Sequence, residues 1–414
     1  MKLIIDCDPG NGIPGANVDD AIALAYAVRQ PAFDVRAIWT VFGNTSATEG
    51  RAAAEALLAS LGTELPVRRG AEEPLAGRRA HWRSILDAPS QDPAVYRLWG
   101  PQAPRRDGAA RLGADPLPAL IEDLRDAGED VVLACLGPLT NVARLVREAP
   151  ESLAGVRAIH LMGGCLGAGQ LVDTNFAVDP AAARMVLRAG IPLTVVPLDV
   201  TRTTELPPAR WRSIRDLGHP DLDAVAAWLE PWLVHSDRTR PVDGMWLHDL
   251  VVLAALADPG LVTRERARVA VLDDPAGKLV LDPDGVAVDL VTGVDNDALI
   301  AAWVDAILTD DHARRRPPTC RPLRPCDGRC RGQPAARWGR REWCWPGGAR
   351  GGGGGQRTSR LTAWIARPAR QPTTVPLILM NCRSRPTCSS IRRAAWRPSQ
   401  RSMVWLITVD SSAP

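Results

Sequence analysis

An α/β fold with an open, mostly parallel, Rossmann-like sheet flanked by helices is predicted by three features of this sequence. Short apolar runs alternate with segments of helical period through most of the first 312 residues. A late group of runs at 268–273, 278–282 and 286–291 reads as a small strand cluster, closed by an amphipathic helix at 296–308. Polar residues with chemical potential gather just after the predicted strands, where open α/β sheets bind their ligands.

The earlier strands are expected at 2–7, 35–41, 131–136, 156–162 and 192–198. Helices are expected at 19–29, 46–61, 116–127, 139–148, 180–189 and 247–257. Residues 77–114, rich in Arg, Pro, Asp and Gly with little periodicity, read as a long loop of the kind that carries function or moves.

Composition divides the chain. Residues 313–414 hold 21 Arg, no Lys and only three acids, Asp327, Glu342 and Asp410, for a net charge of +18. The remaining 312 residues carry 29 basic and 44 acidic side chains, or −15, and are long enough to bury a sizeable core. The expected organisation is a catalytic domain at 1–312 and a basic Arg/Pro/Gly-rich tail at 313–414. With Gly351–Gly355, six scattered Cys and almost no acids, the tail is expected to be disordered. Its sudden switch to Arg, Pro, Trp and Cys is what a GC-rich gene gives when read out of frame. A nucleic-acid role for that charge lacks aromatic interleaving or finger spacing, and Cys326-x-x-x-Cys330 alone is weak as a zinc site.

Cys7, Cys135 and Cys165 are too few and too scattered for a disulfide framework, which suits a reducing cytoplasm. The chain opens directly into an apolar strand with no leader pattern, and no apolar run is long enough to span a bilayer. A cytoplasmic protein without a membrane partner is expected.

The first strand ends in Asp6-Cys7-Asp8-Pro9-Gly10, and alternation puts Asp6 and Asp8 on one face. Asp19 and Asp20 then open a helix, where acids are favoured by the macrodipole and by capping. Capping accounts for one acid comfortably. Four carboxylates within 15 residues, with only Lys2 as a nearby cation, would repel one another without a neutralising partner. A hard divalent cation with oxygen ligands is the simplest candidate.

Asp-Cys-Asp-Pro-Gly followed by Asp-Asp-Ala on a helix resembles the signature of the inosine-uridine preferring nucleoside hydrolase family. The family usually places one residue between the two halves, whereas here Asn11 to Val18 intervene, Gly- and Pro-rich as a bulging loop should be. Thr40-Val-Phe-Gly-Asn44, Leu136-Gly-Pro-Leu-Thr-Asn141, Met162-Gly-Gly164, Asn175-Phe-Ala-Val-Asp-Pro180 and His248-Asp249 are similar to further family motifs. Each is weak alone. Together, in family order, they extend the resemblance over roughly residues 2–310 and imply a nucleoside hydrolase fold.

The resemblance implies hydrolysis of the N-glycosidic bond of ribonucleosides to ribose and free base. It implies calcium held by Asp8, Asp20, Asp249 and the main-chain carbonyl of Leu136, with Asp8 also taking a proton from the attacking calcium-bound water. Ribose would meet Asp19 at its 2′-hydroxyl and Asn175 at its 3′-hydroxyl, with Asn44 and Met162 among the substrate-binding positions. Asp173 stands where the family has a Glu for the 5′-hydroxyl, and Gln170 where it has an Asn. His248 would protonate the departing base, since an unperturbed histidine titrates near working pH. By itself, a histidine at a helix start is more often structural. His81 falls where the family has a base-contacting His, while Trp82 and Trp246 are candidates to stack on a base or to fill core. Family members are commonly homo-oligomers.

Two other readings compete. A haloacid dehalogenase-type phosphohydrolase also begins Asp-x-Asp after a first strand, but it needs a suitably placed cation, and the first 312 residues hold only Lys2 and Lys278 as lysines. A non-catalytic nucleoside- or sugar-binding homologue would not need Asp8, Asp20, Asp249 and His248 together.

Overall fold

The computed structural model describes residues 1–76, 79–100, 114–167, 169 and 171–309. The tail predicted at 313–414, residue Gln170 and the side chain of His81 lie outside what is described.

Among the described residues the sheet has nine strands: β1 Lys2–Cys7, β2 Asp34–Thr40, β3 Val67–Arg69, β4 Val131–Cys135, β5 Val156–Met162, β6 Leu193–Val196, β7 Val262–Val271, β8 Leu279–Leu281 and β9 Val286–Val294. Their order is β3-β2-β1-β4-β5-β6-β9-β7-β8. Pairing is parallel from β3 through to β9, and antiparallel where β7 meets β9 and β8. The mostly parallel open sheet is therefore as predicted. From β1 the chain runs outward to β2 and β3, then returns to β4 on the other side. The β1–β4 boundary is thus a topological switch point.

Alternation along the central strands feeds two apolar layers. Leu3, Ile5, Cys7, Val132 and Ala134 pack on one face with the helices Asp19–Arg29, His248–Ala257 and Asn296–Thr309. Ile4, Val131, Leu133 and Cys135 pack on the other with the helices Leu117–Ala127, Thr140–Glu148 and Pro180–Leu187. Burial on both faces explains why these strands read as continuous apolar runs.

The loop expected at 77–114 is corrected. Its described part holds the helices Arg79–Leu86, Ala88–Gln91 and Pro93–Trp99. Prolines that look like breakers stand in the first turns of the second and third, where a missing N–H costs nothing, and Asp92 caps the third through Ala94 N at 2.7 Å. The helices Pro208–Arg215 and Pro220–Thr239 were not predicted either. Among the described residues, no helix is long and apolar enough to cross a membrane.

Candidate functional site

The carboxyl ends of the parallel strands deliver the predicted residues to one place. β1 runs into Asp8, β2 into Gly43 and Asn44, β4 into Leu136 and Gly137, and β5 ends at Met162. The helices Asp19–Arg29 and His248–Ala257 present Asp19, Asp20, His248 and Asp249 at their N-termini.

Neither acid caps its helix. Val18 occupies the cap position of the first helix with no side-chain cap bond. Asp20 instead accepts from the main-chain N–H of Asp8 (3.0 Å) and from Asn44 Nδ2 (3.2 Å). Asp8 Oδ2 accepts from the main-chain N–H of Asn44 at 2.6 Å. Its carboxylate lies so close to Gly43 and Gly137 that a Cβ on either would overlap it. The capping expectation is thereby set aside for both residues.

Asp19, Asp20 and Asp249 are buried, and each brings a carboxylate oxygen within 4.8 Å of the others. Asp19 Oδ1 is buried without a hydrogen-bond partner. Loss of water raises the Asp19 carboxyl to about 6 and, with Asp19 beside it, the Asp20 carboxyl to about 8. Burial, then Asp19, Asp20 and Asp8, hold Asp249 well above the usual carboxylate range. These groups can ionise together only beside added positive charge. An all-oxygen cluster with an unused buried acceptor could hold a hard metal ion. The tight triad includes Asp19, expected on the sugar, with Asp8 at its side.

The other candidates surround this cluster. Asn175 Nδ2 donates to the carbonyls of Leu136 (2.7 Å) and Met162 (3.2 Å), joining the ends of β4 and β5. Asp173 caps the helix Thr174–Val178, its Oδ2 accepting from the N–H groups of Phe176 (2.9 Å) and Gly164 (3.0 Å), and burial raises its carboxyl to about 6. His248 Nδ1 lies 2.7 Å from Thr201 Oγ1, and the ring packs on Trp246. Burial first, then Arg240 and Arg202, pushes the His248 imidazole down to about 3. The histidine is therefore neutral near pH 7, not poised as sequence reasoning assumed. Trp82 packs against the small apolar cluster of Val41, Phe42, Ala71 and Val178.

Three features were missed from sequence. Arg240 lies near Asp19 and His248, favouring the charged form of the first and disfavouring that of the second, and its guanidinium sits 4.6 Å from the centre of the Trp232 ring. Trp232 and Trp99 both contact the His235 ring, and Trp99 Nε1, Trp232 Nε1 and Ser236 Oγ are buried without partners. The third is the packing of the insert Asn11–Val18, which was expected to bulge but folds inward: Asn11 Nδ2 donates to the Ala53 carbonyl (2.9 Å), Gly12 faces Trp228 and Gly15 faces Pro89. Asp199 and Thr201, also not singled out, did carry a usable sequence signal, as polar residues just beyond a strand.

The family described as inosine-uridine preferring nucleoside hydrolase matches residues 3–301. A pyrimidine-specific ribonucleoside hydrolase RihA from Klebsiella pneumoniae is 34% identical over 273 residues, covering 64% of this chain and 81% of the relative. Its Escherichia coli counterpart is 31% identical over 315 residues, covering 74% and 94%. Among solved structures, a purine-preferring ribonucleoside hydrolase from Gardnerella vaginalis aligns with TM-score 0.61 and 25% identity, over 74% of this chain and 98% of its own. A nucleoside hydrolase from Bacillus anthracis, at 17% identity, TM-score 0.57, and 74% and 99% coverage, supports the fold. The phosphohydrolase alternative finds no support in these likenesses. The chain belongs to the inosine-uridine preferring nucleoside hydrolase family, as an enzyme that hydrolyses ribonucleosides to ribose and free base.

Proposed function

We propose that hydrolysis proceeds at a calcium site formed by Asp8, Asp20, Asp249 and the Leu136 carbonyl, with Asp8 as general base and His248 beside the leaving base. One observation carries this reading: the buried carboxylates of Asp20 and Asp249, with Asp19 beside them, bring oxygens within 4.8 Å of one another, and Asp20 accepts from the main-chain N–H of Asp8 at 3.0 Å. Calcium, when bound, supplies the positive charge that lets these groups ionise together and makes an attacking water more acidic.

Asp8, fixed by the Asn44 amide and confined between two glycines, takes the proton of the water that attacks the anomeric carbon. Asp19 and Asn175 hold the 2′- and 3′-hydroxyls, with Asn44 and Met162 alongside. The bonds to Leu136 and Met162 orient Asn175 from its nitrogen end. Asp173 receives the 5′-hydroxyl. As the glycosidic bond breaks, positive charge grows on the ribose, and the surrounding carboxylates stabilise it. With the Thr201 hydroxyl donating to Nδ1, neutral His248 carries its proton on Nε2 and there donates a hydrogen bond to the departing base, offsetting the negative charge that grows on it.

The test is release of free base from inosine, uridine and cytidine, with and without exhaustive chelation and calcium restoration. Activity should vanish with the metal and return with it, and Asp20→Ala or Asp249→Ala should abolish both calcium binding and turnover. Full activity after chelation would overturn the reading. We also place the enzyme in the cytoplasm, where its buried free Cys7, Cys135 and Cys165 stay reduced. Light scattering of the purified chain checks the accompanying proposal of a homo-oligomer, which a monomeric mass would refute.

A further inference from the structure

Three of the ribose candidates, Met162, Asp173 and Asn175, lie on one segment that leaves β5 and becomes helical only at Thr174. Two charged side chains from elsewhere grip its described residues. Asp199, in the short helix Leu198–Thr201, accepts from the N–H groups of Leu166 (2.6 Å) and Gly167 (2.7 Å). Lys278, buried just before β8, donates to the carbonyls of Gly167 and Leu171, the latter at 2.9 Å. Gly167 is thus held at its N–H by an anion and at its carbonyl by a cation.

Burying an ammonium is costly unless its N–H groups find acceptors, and the carbonyls of this segment are the acceptors of Lys278. The β7–β8 connection that delivers Lys278 also bears on the helix carrying Asn175. Gly277, at φ +82°, lies against the backbone of Phe176 and Ala177, where no side chain would fit. At the far end of the segment, Asp173 binds back to Gly164 and closes the loop on itself. The helix that supplies Asp199 also supplies Thr201, the partner of His248. One four-residue turn therefore supports both the sugar segment and the group beside the leaving base.

We propose that Lys278 and Asp199 are positioning residues for the 5′ end of the ribose, holding the segment so that Asp173 meets the 5′-hydroxyl. The proposal rests on the reading of Asp173 as the partner of that hydroxyl. Neither residue touches substrate; both act through the segment they hold.

The experiment compares kcat/KM for uridine and 5′-deoxyuridine in the full-length metal-loaded enzyme and four variants. Asp173→Asn tests the underlying reading and should erase the preference for uridine. Lys278→Met and Asp199→Asn should each lower kcat/KM for uridine by about tenfold or more, because a small misplacement of a binding group is costly. They should leave 5′-deoxyuridine nearly unchanged, and Lys278→Arg should recover most of the loss. Should Lys278→Met fail to fold, Asp199→Asn, changed at an exposed position, carries the test alone. Equal losses on both substrates overturn the proposal, since general loosening does not distinguish them. A preference lost in Asp173→Asn but intact in the Lys278 and Asp199 variants also overturns it and leaves the Asp173 reading standing. A preference intact in Asp173→Asn removes that reading, and the assignment with it.

Discussion

Thr201 Oγ1 lies 2.7 Å from His248 Nδ1, so the hydroxyl of one short helix sets the ring orientation at the start of another. His248→Ala should slow natural nucleosides by about 100-fold or more. Thr201→Val, which keeps the shape and removes one hydrogen bond, should cost about tenfold. Both losses should shrink on p-nitrophenyl riboside, whose leaving group needs no proton. Steady-state kinetics on the two substrate types decide it, and equal losses on both would assign these residues a structural role.

Asp19 Oδ1 is a buried acceptor waiting for a donor. If the ribose 2′-hydroxyl is that donor, a 2′-deoxyribonucleoside leaves the oxygen unsatisfied in a polar site. Inosine should then outrun 2′-deoxyinosine by about three orders of magnitude or more. Comparable turnover would remove Asp19 from the sugar site.

Arg29 Nε and Asp221 Oδ2 form a 2.6 Å ion pair almost closed to water, and Arg29 also donates to the Leu61 carbonyl and to Thr63. The pair fastens the helix Pro220–Thr239 to the end of the helix Asp19–Arg29. Removing one partner strands the other charge, so Asp221→Ala should destabilise the fold by about 3–5 kcal/mol. Urea denaturation measures this. A loss below about 1 kcal/mol would place the pair with weak surface bridges.

His160 in β5 is held down at about 4 by burial and then by Arg264 and Arg157, against 6.5 for an ordinary histidine. Between those values the unfolded chain takes up a proton that the folded chain refuses. Stability from this residue is therefore complete above pH 6.5 and falls as pH drops toward about 4. His160→Gln should flatten that part of the stability profile relative to the parent enzyme. Parallel profiles in denaturant titrations would contradict the assignment.

Asp8 and Asp20 stood out because acids directly after a strand, or opening an apolar helix, break a strong local pattern, whereas His248 and Asp249 were singled out through the family resemblance. Asp199 and Thr201 obey the same rule, but a strand predicted to run through 198 absorbed the approach to them, whereas β6 stops at Val196. The helix Pro220–Thr239 was hidden by Pro231 in its interior, which reads as a break. Arg240 has no local signature. Its nearness to Asp19 arises from packing between segments more than 200 residues apart. β3 has only three residues, too few to show a period.

The carboxylate cluster stands at the ends of strands and at helix starts welded to the sheet, whereas Trp99, Trp232 and Ser236 belong to helices outside it. Inheritance can act on the two parts separately. A codon change at Gly43 or Gly137 strikes Asp8 itself, whereas one at Trp232 reaches Asp19 and His248 only through Arg240.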